Sequence, residues 1–491
     1  MIITRLRDAG ANRAVRSPAP EHQPGLRPLA VVALLSGYAM AVLDFFVVNV
    51  ALPTIGRSLH AGTSALELVV SGYAVLFAVL LVLGGRLGDA FGRRRLFMSG
   101  VAGFTASSFA CGMAPSAWVL VGARAVQGAT AAMMVPQVLA TIQALTQGEE
   151  RTRAMGRYGA TAAISSAAGQ VLGGVVLALD IAGSGWRAIF LVNVPVGLAA
   201  LVACRRWLPP NRADRPTGTD PVGTVLLAGA LLSVLMPLSE GASLGWPAWS
   251  LALLAAAPVL AGCFAFWERR WEGKGGTPLV PSTVLRPLSM RASLATALPF
   301  FSAFSGFMFV YALATQRGPK PLGLGLGLGP LDAGLAFVPA AVAFGVGSLA
   351  SPTLLRRFGP RTVAAGTAGQ CAAMAGLAIT MLTTWPSISV IGAELLLVLL
   401  GLGQGCAMSP MFRLALSGVE SHHAGAGSGV LVTTQQLAIA LGATLLGTVY
   451  SRALLGLGGA GGLACTLGVM ATFAGVGSFM ARGLARVGVA P

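Results

Sequence analysis

Stretches of about 20 apolar residues recur along this 491-residue chain, separated by short polar segments. That recurrence restricts the possible folds more than any other feature. About 20 apolar residues wound as a helix cross a hydrocarbon core roughly 30 Å thick. Only helices and closed barrels satisfy their backbone polar groups in that medium. Charge content points the same way. Charged residues make up 10% of the chain, against about 25% in soluble domains. The 66 glycines suit helices that must approach closely in lipid, where apolar burial gives no drive for association. The chain is therefore expected to be an all-α integral membrane protein.

Fourteen spans are predicted, at roughly 28–52, 66–85, 96–114, 117–143, 155–179, 188–206, 222–240, 248–267, 291–315, 331–351, 361–381, 387–410, 425–450 and 460–482. Glycine dilutes the seventh and fourteenth most. The first run is too long for the apolar region of a signal peptide, so it is read as an uncleaved first helix. Charge asymmetry orients the set. With both termini in the cytoplasm, inner segments hold 27 Lys and Arg residues and outer loops hold 5, and Arg124 lies within a span. This bias matches the positive-inside rule. Adding or losing one span would put the loops beyond it on the wrong side.

The net charge of +17 is spread over short loops, so it reads as topology and not as a nucleic-acid surface. The cysteines (Cys111, Cys204, Cys263, Cys371, Cys406 and Cys465) stand singly in or beside apolar runs, without metal or disulfide spacing. Histidines occur at 22, 60, 422 and 423, in the tail or loops. No nucleophile–base set, paired catalytic carboxylates or nucleotide-binding loop is present. The low-complexity run Gly323–Gly329 lacks the following Lys-Ser/Thr helix start of a phosphate loop. An enzyme, a metal or cofactor site and ATP drive are therefore not expected.

Polar, proline-rich segments at 207–221 and 268–290 bracket the seventh and eighth spans. The chain divides accordingly into a cytoplasmic tail (1–27), six spans (28–206), a linker with two extra spans (207–290), six more spans (291–482) and a second cytoplasmic tail (483–491). The two six-span blocks echo each other. Leu87-Gly-Asp-Ala-Phe-Gly-Arg93 after span 2 resembles Leu354-Leu-Arg-Arg-Phe-Gly-Pro360 after span 10, and Gln127-Gly128 resembles Gln404-Gly405. Internal repeats of this kind build many transporters, with the substrate site between the halves. Chance likeness among Gly/Ala/Leu-rich helices is the alternative.

Ionisable groups inside spans are costly and usually have a task or a partner. Asp44 lies about 14 residues into span 1, roughly 21 Å from the inner edge at 1.5 Å per residue. Arg124 in the antiparallel span 4 lies roughly 10 Å below the outer surface, at a similar depth in a core of about 30 Å. A pair is geometrically allowed. It could be a proton-accepting carboxylate tuned by burial and by the arginine, or a static pair that only neutralises charge. Glu394 could be a second proton site, a binder of cations, or a residue reaching for the interface. Asn49, Gln127, Gln170, Gln404 and Gln436 are candidate cavity residues, with helix-to-helix hydrogen bonding as the other reading. The loop Gly85–Arg95 is the densest charge cluster. Arg93 and Arg94 anchor topology, Gly85 and Gly92 permit a tight turn, and Asp89 could latch onto an arginine or a facing helix N-terminus.

Taken in order, these segments resemble the major facilitator superfamily, and within it the fourteen-helix drug:proton antiporters. Leu43-Asp44 through Asn49 to Pro53 is similar to the family's helix 1 aspartate signature, and Gly85–Arg95 to its loop between helices 2 and 3. Arg124-Ala-Val-Gln127-Gly128 resembles the helix 4 arginine motif, Trp186–Gly197 the entry to helix 6, and Gly425–Gly429 with Gln436 helix 13. The helix 5 motif, Gly169-Gln170-Val-Leu-Gly173-Gly174, lacks the proline that usually precedes its glycine pair, which weakens the inference of export. The second copy of the signature loop has Arg356 where the first has Asp89, so only the first is expected to latch.

The resemblance implies a bacterial, multi-pass plasma-membrane protein acting as a monomer. It would have two six-helix bundles with helices 7 and 8 as an insert, and would rock between inward- and outward-open states. Its partners would be a drug-like molecule, protons and lipid, and its energy source the proton gradient. Asp44 and Arg124 would couple proton entry to export. A proton-coupled importer of a metabolite on the same fold is the alternative.

Overall fold

The computed structural model describes residues 28–61, 63–179, 185–210, 220–241, 244–316, 330–384, 390–420 and 423–486. The N-terminal tail, the glycine-rich run 323–329 and most of the 207–221 linker lie outside this set, as do the side chains of Asn49 and Gln170. In chain order the helices are α1 (Pro28–Leu59), α2 (Thr63–Phe91), α3 (Arg93–Gly112), α4 (Ala117–Leu145), α5 (Gly148–Leu179), α6 (Ala188–Leu191), α7 (Asn193–Trp207), α8 (Pro221–Glu240), α9 (Ala248–Gly273), α10 (Ser282–Leu285), α11 (Leu288–Gln316), α12 (Pro330–Phe358), α13 (Arg361–Thr384), α14 (Val390–Ser417) and α15 (Ala424–Ala481).

Among the described residues, 12 helical segments are long and apolar enough to cross a membrane. The fourteen predicted from the sequence differ from these at two places. Helix α3 begins with three arginines and carries serines on 20 residues, so its apolar density is low. Helix α15 runs for 58 residues. A straight helix of that length would be about 87 Å long, nearly three hydrocarbon cores. It is not straight. Gly458 has φ 73° and ψ −177°, and a Cβ built on Gly462 would stand 2.8 Å from Cα of Leu454. Eight residues along a straight helix would separate these by about 12 Å. The chain therefore turns back at Gly458. Both arms pack on α11, with Gly442 facing Ser302 and Gly477 facing Thr296 and Pro299. The predicted sixth span is a single segment: α6 and α7 meet at Val192, whose backbone is helical (φ −61°, ψ −27°), and Gly185–Trp207 counts as one of the 12.

The sequence echo is also a structural echo. Gly128 of α4 abuts the backbone of Tyr73 on α2, and Gly405 of α14 abuts that of Phe344 and Ser348 on α12. A side chain at either glycine would drive the paired helices apart. The two copies of the signature loop each turn on a left-handed glycine, Gly92 (φ 99°) and Gly359 (φ 61°). Glycine populates that region without a Cβ penalty. Gly85 does something other than turn the chain. It lies within α2, and its close neighbour is the backbone of Gly425 at the start of α15.

The insert lies along the seam between the two bundles. Leu231 and Leu235 of α8 pack on Ala78 and Val79 of α2, with Leu437 and Ala440 of α15 beside them. The hydroxyl of Thr444 on α15 donates to the Leu238 carbonyl (2.6 Å). Helix α9 packs on α8 and buries only Ser250, Ala257 and Glu268. At one end of the hairpin Asp220 caps α8, accepting from Gly223 N (2.8 Å) and from Trp267 Nε1 (3.0 Å).

Candidate functional site

Asp44 on α1 is completely buried, and Arg124 on α4 is 1% exposed. The guanidinium donates to the carboxylate in a direct ion pair. Four further side chains close around it. Gln127 Nε2 donates to Asp44 Oδ1 (3.0 Å) and to Ser108 Oγ (2.7 Å), while its Oε1 accepts from Arg124 (2.7 Å). Asn193 Nδ2 also donates to Asp44 Oδ1 (3.0 Å). Arg124 Nε donates to the Val69 carbonyl of α2 (3.0 Å), and its guanidinium lies 4.3 Å from the ring centre of Tyr73. The charge pair is thus desolvated and held by α1, α2, α3, α4 and α7 together. A desolvated pair is stable only when hydrogen bonds take up its remaining donors and acceptors, and this one has them.

Of these partners, Asn193, Ser108 and Tyr73 are not evident as site residues from spacing alone. Asn193 sits where α6 gives way to α7, and a lone amide inside an apolar run was the available signal. Gln127, a candidate cavity residue, belongs to the charge network instead.

A cavity lies between the two bundles. The first bundle lines it with Tyr38, Phe45, Phe46, Tyr73, Phe77 and Tyr158, and the second with Phe300, Phe301, Phe304, Phe337 and Phe344. Gln404, Gln435, Gln436 and Ser166 supply polar groups. Gln404 and Gln436, candidate cavity residues in the sequence, lie in this lining. Glu394 does not: it is half-buried away from the lining, and its Oε2 has no hydrogen-bond partner among the described residues. The ring of Tyr73 stands between the two sites, facing the cavity and covering Arg124.

On α5, Gly169 sits against Leu43 and Phe46 of α1, and Gly173 is buried beyond it. A Cβ at Gly169 would lie 2.8 Å from the Leu43 carbonyl oxygen, so this glycine sets the distance from α5 to the helix that carries Asp44. Gly174 is half-buried.

The bundles are tied together at the end that carries the signature loop. Asp89 accepts from the backbone N–H groups of Gly425 (3.2 Å) and Ala426 (3.1 Å) at the N-terminus of α15, and from Arg93 (3.0 Å). A carboxylate at a helix N-terminus meets both free donors and a favourable dipole. Nearby, Gln143 Nε2 donates to the Leu416 carbonyl (2.8 Å), and Ser428 Oγ donates to that of Pro136 (3.0 Å). Arg94 donates to the Arg205 carbonyl (2.8 Å) within the first bundle. The second copy of the loop also bridges the bundles, contrary to expectation: Arg356 pairs with Glu149 at the start of α5. Both side chains are more than half exposed, and exposed pairs contribute little. No group of three or more His, Cys, Asp or Glu able to hold a metal occurs among the described residues.

Comparison with known proteins places this geometry. The sequence pattern of the Major Facilitator Superfamily matches residues 34–443. The chain is 35% identical over 429 residues to the "Probable actinorhodin transporter" of Streptomyces coelicolor, covering 86% of this chain and 72% of that one. It is 36% identical over 448 residues to "Puromycin resistance protein pur8" of Streptomyces alboniger, covering 90% and 84%. Among solved structures, the human organic anion transporter MFSD10 superposes with a TM-score of 0.65 at 15% identity, covering 92% of this chain and 99% of that one.

Proposed function

Since this chain belongs to the Major Facilitator Superfamily, and so is a multi-pass transporter of a bacterial plasma membrane, we propose that it exports drug-like or antibiotic small molecules in exchange for protons. The supporting observation is the buried Asp44–Arg124 pair, set one aromatic ring away from the central cavity. A proton arriving on Asp44 removes its charge and frees the guanidinium. The Tyr73 ring then loses the fixed cation behind it, and the balance between two conformations shifts. The proton gradient supplies the energy, and no cofactor takes part.

In this reading the chain crosses the membrane fourteen times with both ends in the cytoplasm, counting α3 and each arm of α15 as crossings. Residues 28–206 and 291–482 form the moving halves, the hairpin within 207–290 follows their seam, and a monomer is the working unit. The Asp89 contacts then close the cytoplasmic side.

Everted membrane vesicles provide the test. With the lumen acidified, substrate is expected to enter the vesicle as protons leave it. Asp44→Asn is expected to insert normally and to abolish the gradient-driven movement. Movement of substrate and protons in the same direction would instead make this an importer. An Asn variant that still works against a gradient would remove Asp44 from the coupling.

A further inference from the structure

The cavity lining carries a statement about charge. Among the described residues that line it, none is Asp, Glu, Lys, Arg or His, whereas 11 are aromatic. The nearest ionised groups are withheld. Both carboxylate oxygens of Asp44 are taken by Arg124, Gln127 and Asn193, and the residue has no exposed surface. Arg124 is covered by Tyr73. A charged ligand in this cavity would lose its hydration and find no counter-charge, which is costly. An aromatic lining alone can hold a cation against its ring faces. Here the guanidinium already occupies one face of Tyr73, so a cation at that ring would meet a positive charge behind it, and at the other rings it would find no carboxylate among the described lining residues to balance its lost hydration.

Two further observations specify the ligand. Tyr38 and Tyr158 are stacked in parallel, with centroids 4.1 Å apart and planes 11° apart. They form a packed aromatic pair in the wall of the first bundle, and with Phe45, Phe46 and Phe77 beside them that wall suits a flat ring system. On the opposite wall Gln404 is 2% exposed, and its Nε2 has no acceptor among the described residues. Buried donors are almost always paired, and an unpaired one in a cavity wall awaits an acceptor from the ligand.

From these we infer that the cavity selects uncharged, flat aromatic molecules bearing a carbonyl-type acceptor, with the rings on the first bundle's aromatic wall and the acceptor at Gln404. This deepens the export reading, because it rests on the cavity being the transport path.

Binding to the purified full-length chain in lipid nanodiscs tests it with four probes built on one tricyclic skeleton. Acridone is neutral with a carbonyl, acridan is neutral without one, 10-methylacridinium is a cation, and 10-carboxymethylacridone is an anion. Acridone is expected to bind at least about tenfold more tightly than either charged probe. Gln404→Leu is expected to weaken acridone about fivefold, as loss of one hydrogen bond should, and to leave acridan unchanged. Gln404→Glu, which supplies the missing acid, is expected to invert the order in favour of the cation. Equal or tighter binding of 10-methylacridinium by the unaltered chain would overturn the inference. So would acridone binding indifferent to both substitutions, or failure of acridone to bind. Should acridone fail while everted vesicles still take up another compound as protons leave, the substrate class falls and export stands. Should it bind as stated while vesicles move nothing, the cavity chemistry stands and export falls.

Discussion

Replacing both partners of the Asp44–Arg124 pair should cost less than the two single replacements added together. In Asp44→Asn the guanidinium stays 1% exposed and keeps only neutral acceptors, Gln127 Oε1 and the Val69 carbonyl, with the Tyr73 ring beneath it. Stranding a buried charge costs about 3–5 kcal/mol. The new amide also puts an N–H group where one carboxylate oxygen stood, facing either the Arg124 donor at the Oδ2 position or the Gln127 and Asn193 donors at the Oδ1 position, so the upper part of that range is expected. Arg124→Gln strands the carboxylate less severely, because Gln127 and Asn193 still donate to it at 3.0 Å each. About 2 kcal/mol is expected, the value of lost hydrogen bonds to a charged group. The double variant leaves two neutral amides able to bond each other. A double-mutant cycle should then return a coupling of about 2–3 kcal/mol. The assay is reversible unfolding in mixed micelles, followed by circular dichroism. Single effects that add to within about 0.5 kcal/mol would mean that the pair is hydrated and would refute the reasoning. The cycle also separates the two readings of the pair. If it serves only neutralisation, the double variant, folded though weakened, exports where Asp44→Asn does not; if it couples protons, neither exports.

Other consequences follow from the close approaches and from the ring between the sites. Gly128→Leu and Gly405→Leu should each destabilise by about 1–3 kcal/mol, the usual cost of overpacking, since each glycine abuts the backbone of a facing helix. The same unfolding assay measures both, and equal costs would bear on the twofold relation of the bundles. Tyr73→Leu should leave aromatic substrates binding to within a few-fold while flattening the pH dependence of that binding, which fluorescence titration at several pH values would detect.

Much of this architecture is written in the sequence, because span length and loop charge are read one residue at a time. The depths of Asp44 and Arg124 follow from counting along two antiparallel helices, and the ion pair stands where that counting allows it. What is illegible has a common cause: it depends on which faces of different helices meet. Asn193 reaches Asp44 because α7 packs on α1 with that residue facing inward. Tyr73 reads as one more apolar residue of α2 until Arg124 is found beneath it. Gln127 and Gln404 hold matching places in the repeat, yet one completes a charge network and the other faces the cavity. Arg356 gave no sign of its partner, since Glu149 lies 207 residues away. Apolar density also says nothing of which face of α3 packs inward; the buried one bears Ser107 and Ser108.

Helix α2 connects the charge site to the closure of the bundles. It supplies the Val69 carbonyl and the Tyr73 ring to Arg124, and sixteen residues further on it supplies Asp89 to the N-terminus of α15. A continuous helix transmits displacement along its axis, so release of the guanidinium and opening of the latch would be two ends of one movement. Coupling between sites is reciprocal, which gives a prediction with a sign. In this structure the latch is closed while the ion pair is formed, so the closed state belongs with ionised Asp44. Asp89→Asn removes the charge from the bonds to Gly425 and Ala426, worth about 1.5–3 kcal/mol, and favours the open state. The pH at the midpoint of the conformational change, followed by fluorescence from a reporter placed on α15, should therefore move upward. At about 1.36 kcal/mol per pH unit, the shift can reach one to two units and no more. An unchanged midpoint would show that latch and acid move independently, and a downward shift would assign the closed state to the protonated form.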